Sequence, residues 1–358
     1  MQQKFKKALY VFLISSSICL WSSSFVQPVQ AVTLMPAAQS EVQNYLQKNA
    51  FSGTLLIIRH QRPLWIVNQG FANFAQQKPT TIRSVYQLAS LQKSVTATLV
   101  MKAQERHKLR LTNTLAQYYP QIPQAQNITL WNLIRMESGL DTTAQLPPNL
   151  RGAQLDHFLQ HKLQAIPRYR NVWHYSDYNY VLLARILEKV YHRSYAQIFQ
   201  REIKRPLHLH HTDVRSNFHR QTEAATAYAY DNYQTGFSQP LKLDERQLHS
   251  ESGADQLYST VYEFYRLQAA IVQGKIIRPA DVIMLRTPGV ASLYNGGVYN
   301  VKPEHFFYAR GVDQGFDAAF AMADSGKDAV ILFSNRHNPH GDNSNKMVQI
   351  IYRKVFVQ

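Results

Sequence analysis

The chain has 358 residues, 45% of them hydrophobic, which excludes general disorder and supplies a core for one large or two moderate domains. Lys and Arg outnumber Asp and Glu by 39 to 23, so the formal net charge is +16 and the expected partners are anions. A single cysteine excludes a disulfide framework and thiolate metal centres.

At the amino terminus, Lys4, Lys6 and Lys7 precede an apolar stretch from Ala8 to about Leu20, followed by Val29-Gln30-Ala31. This is the pattern of a secretory signal peptide spanning residues 1–31. Ile18 ahead of Cys19 does not suit a lipoprotein site. Cleavage after Ala31 would leave a cysteine-free extracytoplasmic protein, secreted or held at the bacterial surface, and would lower the net charge by three. A retained segment would instead keep the protein near the membrane. Outside the cytoplasm the abundant polyanions are cell-wall polymers and lipid headgroups, and no Lys/Arg run with interleaved aromatics argues for nucleic acid.

The next elements follow from periodicity. An amphipathic helix is expected over Ser40–Lys48. Apolar runs at 54–58 and 64–67, separated by His60-Gln61-Arg62-Pro63, predict a strand pair. Leu88, Leu91, Val95 and Leu99 mark one helix face, and Leu182, Leu183, Ile186, Leu187 and Val190 mark another. Near the end, runs at 318–323 and 329–333 flank Asp324-Ser325-Gly326-Lys327 as a hairpin, and a last helix begins about Ser344 with Met347, Val348, Ile351 and Val355 on one face. Strands at both ends with helices between them predict an α+β fold with a helical insertion.

Within that frame, His208, His210 and His211 read as a polar loop, because no distant ligand can be assigned to them. No Gly-x-Ser-x-Gly elbow occurs. Ser90-Leu91-Gln92-Lys93 is the chain's one Ser-x-x-Lys, and at helical spacing its serine and lysine project to the same side. A lysine whose pKa is lowered by burial and nearby cations can take the serine proton, and the helix amino terminus favours an oxyanion. Taken alone, the same residues fit a helix start with a solvated lysine.

Further segments occur in a fixed order. Trp173-His174-Tyr175-Ser176-Asp177 is followed by a helix from Tyr180 to Val190. Ile128–Ile134 with Ser138-Gly139-Leu140, Leu257-Tyr258-Ser259-Thr260-Val261, Gly315-Phe316 and Phe333-Ser334-Asn335 complete the set. Over about residues 40 to 356 this resembles the serine penicillin-binding proteins and class C type β-lactamases. The resemblance implies a mainly antiparallel sheet flanked by helices, with the sheet part at about 36–85 and 255–358 and the helical insertion at about 86–254, in a hydrolase domain spanning 32–358. It implies acyl transfer without a cofactor or metal: Ser90 as nucleophile, Lys93 as proton acceptor and relay, Tyr175 as proton shuttle.

Two departures from the family pattern bear on substrate. Asp177 stands where the family has asparagine, so it can only accept hydrogen bonds when ionised, and it equally suits the N-cap of the following helix. In the third motif the residues are Ala309-Arg310-Gly311, so the usual cation is missing and an arginine stands beside its position. Gly311 permits close substrate approach, and the backbone N–H groups of Ser90 and Val312 would form the oxyanion site. Arg310 could hold a carboxylate or phosphate, or strand alternation could turn it away from the cleft. Some relatives remove D-alanine from teichoic acid esters. Expected substrates are therefore D-alanyl esters of teichoic acid or D-alanyl-D-alanine peptides of the envelope, with β-lactams behind both. The alternative is a degenerate protein that binds anionic wall polymer without turnover.

Overall fold

A computed structural model describes residues 34–214, 218, 220–229, 239–244, 249–289 and 292–357. The expected signal segment, with Cys19, lies outside the described residues. No helix among the described residues is long and apolar enough to cross a membrane.

Helix α1 (Pro36–Lys48) starts ahead of the Ser40 marked by periodicity, because Pro36 at its first turn has no N–H to leave unpaired. Strands β1 (Gly53–Arg59) and β2 (Arg62–Gln69) form the first hairpin. Its turn is tighter than expected: His60 and Gln61 alone reverse the chain, with φ of 51° and 67°. The helical part holds α2 (Gln92–Glu105), α3 (Gly152–Lys162) and α4 (Tyr178–Tyr191). It is followed by α5 (Val261–Val272) and α6 (Pro279–Arg286).

The chain then returns to the sheet as β3 (Tyr294–Asn295), β4 (Val298–Val301), β5 (Phe306–Asp313), β6 (Phe316–Ala323) and β7 (Ala329–Ser334), and ends in α7 (Ser344–Phe356). The sheet order is β3-β4-β5-β6-β7-β1-β2, and every neighbouring pair is antiparallel. Strands from distant parts of the sequence therefore meet at β7 and β1, where Gly53 pairs with Ser334 and Ile58 with Ala329.

Pleat alternation divides the core in two. Leu55, Ile57, Val330 and Leu332 face α1 and α7, packing with Val42, Leu46, Val348 and Ile351. Leu56, Ile58, Ile331 and Phe333 face the other way, toward the large cluster that includes Val95 and Leu99 of α2 and Leu183 and Leu187 of α4. Because β1, β6 and β7 are covered on both faces, their sequences are apolar runs rather than alternations.

Candidate active site

A short helical turn, Ala89–Leu91, leads directly into α2, so Ser90 sits at the head of that helix. Ala89 has φ 45°, a left-handed conformation that a residue with a Cβ rarely adopts, and it is buried against neighbours that hold it there. Gly311 of β5 explains part of that hold. A Cβ at this position would lie 2.1 Å from the Leu88 carbonyl oxygen and 2.7 Å from the Ser90 backbone nitrogen. The strand thus touches the backbone of the turn that carries Ser90, which only glycine permits. Gly297, at φ 82° in the turn between β3 and β4, presses on α2 in the same way, with the Ser94 nitrogen 2.2 Å from where its Cβ would be.

Three side chains converge on Ser90 Oγ. Lys93 Nζ donates to it at 2.7 Å, Tyr175 OH donates at 2.7 Å, and Ser90 itself donates to Asp255 Oδ1 at 3.1 Å. Lys93 Nζ also pairs with Asp177 Oδ1 at 2.7 Å and Asp255 Oδ1 at 3.5 Å. Sequence reasoning placed Ser90, Lys93, Tyr175 and Asp177 in one site, and the fold brings them together. It did not find Asp255, which lies in a Gly-Ala-Asp-Gln stretch with no spacing relation to Ser90.

The loop bearing Tyr175 is anchored on both sides. His174 Nε2 meets Asp141 Oδ2 at 2.7 Å while its ring stacks on Tyr169 at 3.8 Å. Ser138 Oγ donates to Asn179 Oδ1, and Asn179 Nδ2 donates to the Ser176 carbonyl. The Ser138-Gly139 motif thus positions the Tyr175 loop. Asp177 occupies the N-cap position of α4 but its side chain accepts no capping hydrogen bond. The capping expectation is corrected: the carboxylate turns to Lys93 instead.

The charge of Lys93 is set by the groups around it. Burial disfavours its charge, but Asp177 and Asp255, with Tyr175, outweigh burial and hold the ammonium well above the ordinary lysine value. Burial raises the Tyr175 phenol as well, and the Lys93 charge offsets this only in part. The residue is 37% exposed, yet its hydroxyl end is enclosed against Ser90 and Lys93. Both groups are therefore protonated at neutral pH. Asp255 is pushed up to about 7 by burial and by the charges of Asp177 and Asp313, against the pull of Lys93.

A cavity of about 300 Å³ opens beside Ser90, lined by Lys93, Tyr175, Tyr294, Tyr299, Ala309 and Val312, with Gly297, Arg310 and Asn345 at its edges. Tyr294 stands edge-on to Tyr175 and to Tyr299, with ring centroids 6.5 and 5.2 Å apart. Pairing of β5 with β4 ends at Tyr308, so the Ala309–Val312 segment presents an unpaired edge on that side. Arg310 does not receive a ligand in this cavity. Strand alternation sends its guanidinium to the α7 face, where Nε and Nη2 clamp Asp317 at 2.9 and 2.8 Å and Nε also meets Ser344 at 3.1 Å. The expected carboxylate or phosphate contact is thus replaced by an internal ion pair. Asp317, buried but bonded by His337, Arg310 and Ser344, stays below the usual carboxylate range.

A second cavity, of about 700 Å³, shares no lining residue with the first. Arg151, Arg185, Lys189 and Arg193 line it, together with His192, His249 and one acid, Glu188. Arg185 and Lys189 are bonded to Asp156, whereas Arg151 and Arg193 are exposed. The three histidines at 208, 210 and 211 are elsewhere: the backbone N–H groups of His210 and His211 bind Glu263 of α5. No cluster of potential metal ligands occurs among the described residues.

Several known proteins are similar to this chain. The family described as Beta-lactamase matches residues 38–351. PbpX of Bacillus subtilis (strain 168), a penicillin-binding protein by name, is 30% identical over 318 residues, covering 87% of this chain and 78% of the relative. A teichoic acid D-alanine hydrolase of Staphylococcus aureus is 27% identical over 239 residues, which is 67% of this chain but 59% of that protein's length. Among solved structures, FmtA from Staphylococcus aureus superposes with a TM-score of 0.75 at 24% identity, covering 89% of this chain and 87% of the other, a likeness of fold.

Proposed function

The chain belongs to the beta-lactamase family of hydrolases, and we propose that it is an extracytoplasmic serine hydrolase that forms an acyl-enzyme on Ser90 and releases D-alanine from esters on an anionic wall polymer. One observation carries the choice of substrate. Both cations that line the Ser90 cavity are engaged by the protein's own carboxylates, Lys93 by Asp177 and Asp255, Arg310 by Asp317.

A D-alanyl-D-alanine peptide or a β-lactam brings a carboxylate that would find no partner there, and an unpaired charge in such a cleft is costly. A D-alanyl ester brings the opposite charge, a free ammonium. The half-exposed Asp177 carboxylate and the faces of Tyr175, Tyr294 and Tyr299 suit that group. The backbone N–H groups of Ser90 and Val312 would receive the oxyanion. The arginine-rich second cavity supports a phosphate-bearing polymer as the alcohol component. The name of the Staphylococcus aureus relative is in keeping with this reading.

The test compares the purified protein with Ser90→Ala on D-alanylated teichoic acid and on a D-alanyl-D-alanine pentapeptide. Release of D-alanine from the polymer only, abolished in the variant, is the expected result. Equal D-alanine content with both proteins on both substrates would leave the binding-only alternative. Against that alternative stands the complete hydrogen-bonded set around Ser90, which simple adhesion does not require.

A further inference from the structure

We propose that the second cavity is an anchoring site for a phosphodiester-linked polymer, holding one stretch of the polymer while another stretch meets Ser90. The inference deepens the reading of the ligand as an anionic wall polymer and rests on it. Its ground is the charge balance of the lining. Arg185 is tied to Asp156 at 2.9 and 3.1 Å and also to Glu188, and Lys189 is tied to Asp156 at 2.8 Å. Glu188 further accepts from the Tyr195 backbone N–H at 2.8 Å, and Asp156 from the Tyr119 hydroxyl. These two acids and two cations offset one another. Arg151 and Arg193 remain, both exposed and without a carboxylate partner, so the cavity keeps an uncompensated pair of guanidinium charges.

The wall adds to that charge. The two free guanidiniums come from different elements, Arg151 ahead of α3 and Arg193 past the end of α4. α3 begins in the same wall at Gly152, with no side chain capping its first turn and no acid within it, so its free N–H groups contribute partial positive charge there. Guanidiniums receive phosphate oxygens in pairs, and a polymer with a charge on every unit can meet both arginines at once. At about 700 Å³ the cavity has the size of a small-ligand site, roughly 300–1,000 Å³, and exceeds the cavity of about 300 Å³ beside Ser90.

The two cavities back onto one segment. Ser252 and Gln256 line the second cavity, while Asp255 between them meets Ser90 Oγ at 3.1 Å. That segment is fixed from both sides. The Gly253 carbonyl accepts from Thr96 of α2 at 2.6 Å, and Thr96 Oγ1 in turn meets the hydroxyl of Tyr195, a lining residue, at 2.7 Å. A polymer held in the second cavity therefore lies one chain segment away from Ser90 without entering its cavity. Binding at two places raises the effective concentration of the polymer's esters at Ser90. Turnover should thus grow with polymer length, and an ester of a single unit should gain nothing from the second cavity.

The binding test uses the full chain carrying Ser90→Ala, with glycerol phosphate and long poly(glycerol phosphate) as probes, followed by titration calorimetry at low and moderate salt. The long polymer is expected to bind more tightly than the single unit. Arg151→Glu with Arg193→Glu should weaken polymer binding about tenfold or more and flatten its salt dependence, with the thermal midpoint retained. Arg151→Gln with Arg193→Gln should show a smaller loss in the same direction, and serves if the charge reversals do not fold. With Ser90 restored, D-alanine release from the long polymer should fall in the arginine variants to the rate of a single D-alanylated unit, which itself stays unchanged. Unaltered polymer affinity in both arginine pairs overturns the anchor, and equal binding of poly-L-glutamate overturns its assignment to phosphodiesters. Polymer binding that depends on Arg151 and Arg193 without any D-alanine release by wild type would refute the hydrolase reading and leave the anchor standing.

Discussion

Lys93 Nζ and Asp177 Oδ1 stand 2.7 Å apart, the shorter of the two carboxylate contacts that hold the charge of the buried lysine. Asp177→Asn would remove a counterion and restore a donor. The expected outcome is about a tenfold lower kcat/KM on D-alanyl esters and faster acylation by penicillin, whose amide carbonyl gains a hydrogen bond. Parallel ester kinetics and mass spectrometry of the penicillin adduct measure both. A variant less reactive to both ligands would refute it.

Gly311→Ala places a methyl group against the Leu88 carbonyl and the Ser90 nitrogen, which are backbone atoms that cannot rotate away. The variant should lose about 2–3 kcal/mol of stability and, where it remains folded, nearly all acylation, because the turn carrying Ser90 must shift. Chemical denaturation and burst titration read the two effects separately.

The polymer contact is expected at the second cavity rather than at Arg310. Arg151→Glu combined with Arg193→Glu should raise KM for teichoic acid about three- to tenfold and weaken its salt dependence, leaving a small ester unaffected. Lys346→Glu on α7, at a residue already paired with Asp342, is the control. Equal effects at both places would make the positive charge a general surface property.

Asp156 links α3 to α4 by accepting from Tyr119, Arg185 and Lys189, and these bonds outweigh its partial burial, lowering its value to about 2. The folded value lies below the unfolded one, so the stabilisation is present above pH 4 and is lost as pH falls from about 4 toward 2. Asp156→Asn should cost about 1–2 kcal/mol at pH 7 after allowance for solvent screening, and the difference should vanish near pH 2. Denaturation at several pH values checks it.

Much of this fold is legible in the sequence because its central strands are buried on both faces. β1, β6 and β7 read as apolar runs, and α4 shows its face through Leu183, Ile186 and Leu187. Ser90, Lys93 and Tyr175 are legible because motif spacing reports them. Arg310 is not, since which side it faces depends on the pleat of β5, and only its register against β6 sets it beside Asp317. Asp255 is not legible for another reason: its meeting with Ser90 spans 165 residues and no local pattern marks it. The protonation of Lys93 could not be read either, because it depends on the balance of two carboxylates brought in by separate loops.

The junction of β7 with β1 has a consequence in time. Ser334 Oγ bonds the Ser52 carbonyl across 282 residues, and Gly311 lies against the turn that carries Ser90. A nascent chain therefore holds Ser90 long before it holds the strand that shapes the turn around it. Such late, long-range closure is slow, and it delays hydrolytic competence until the carboxy-terminal strands have been made. Any growing chain shorter than this would lack the strand that shapes the turn around Ser90.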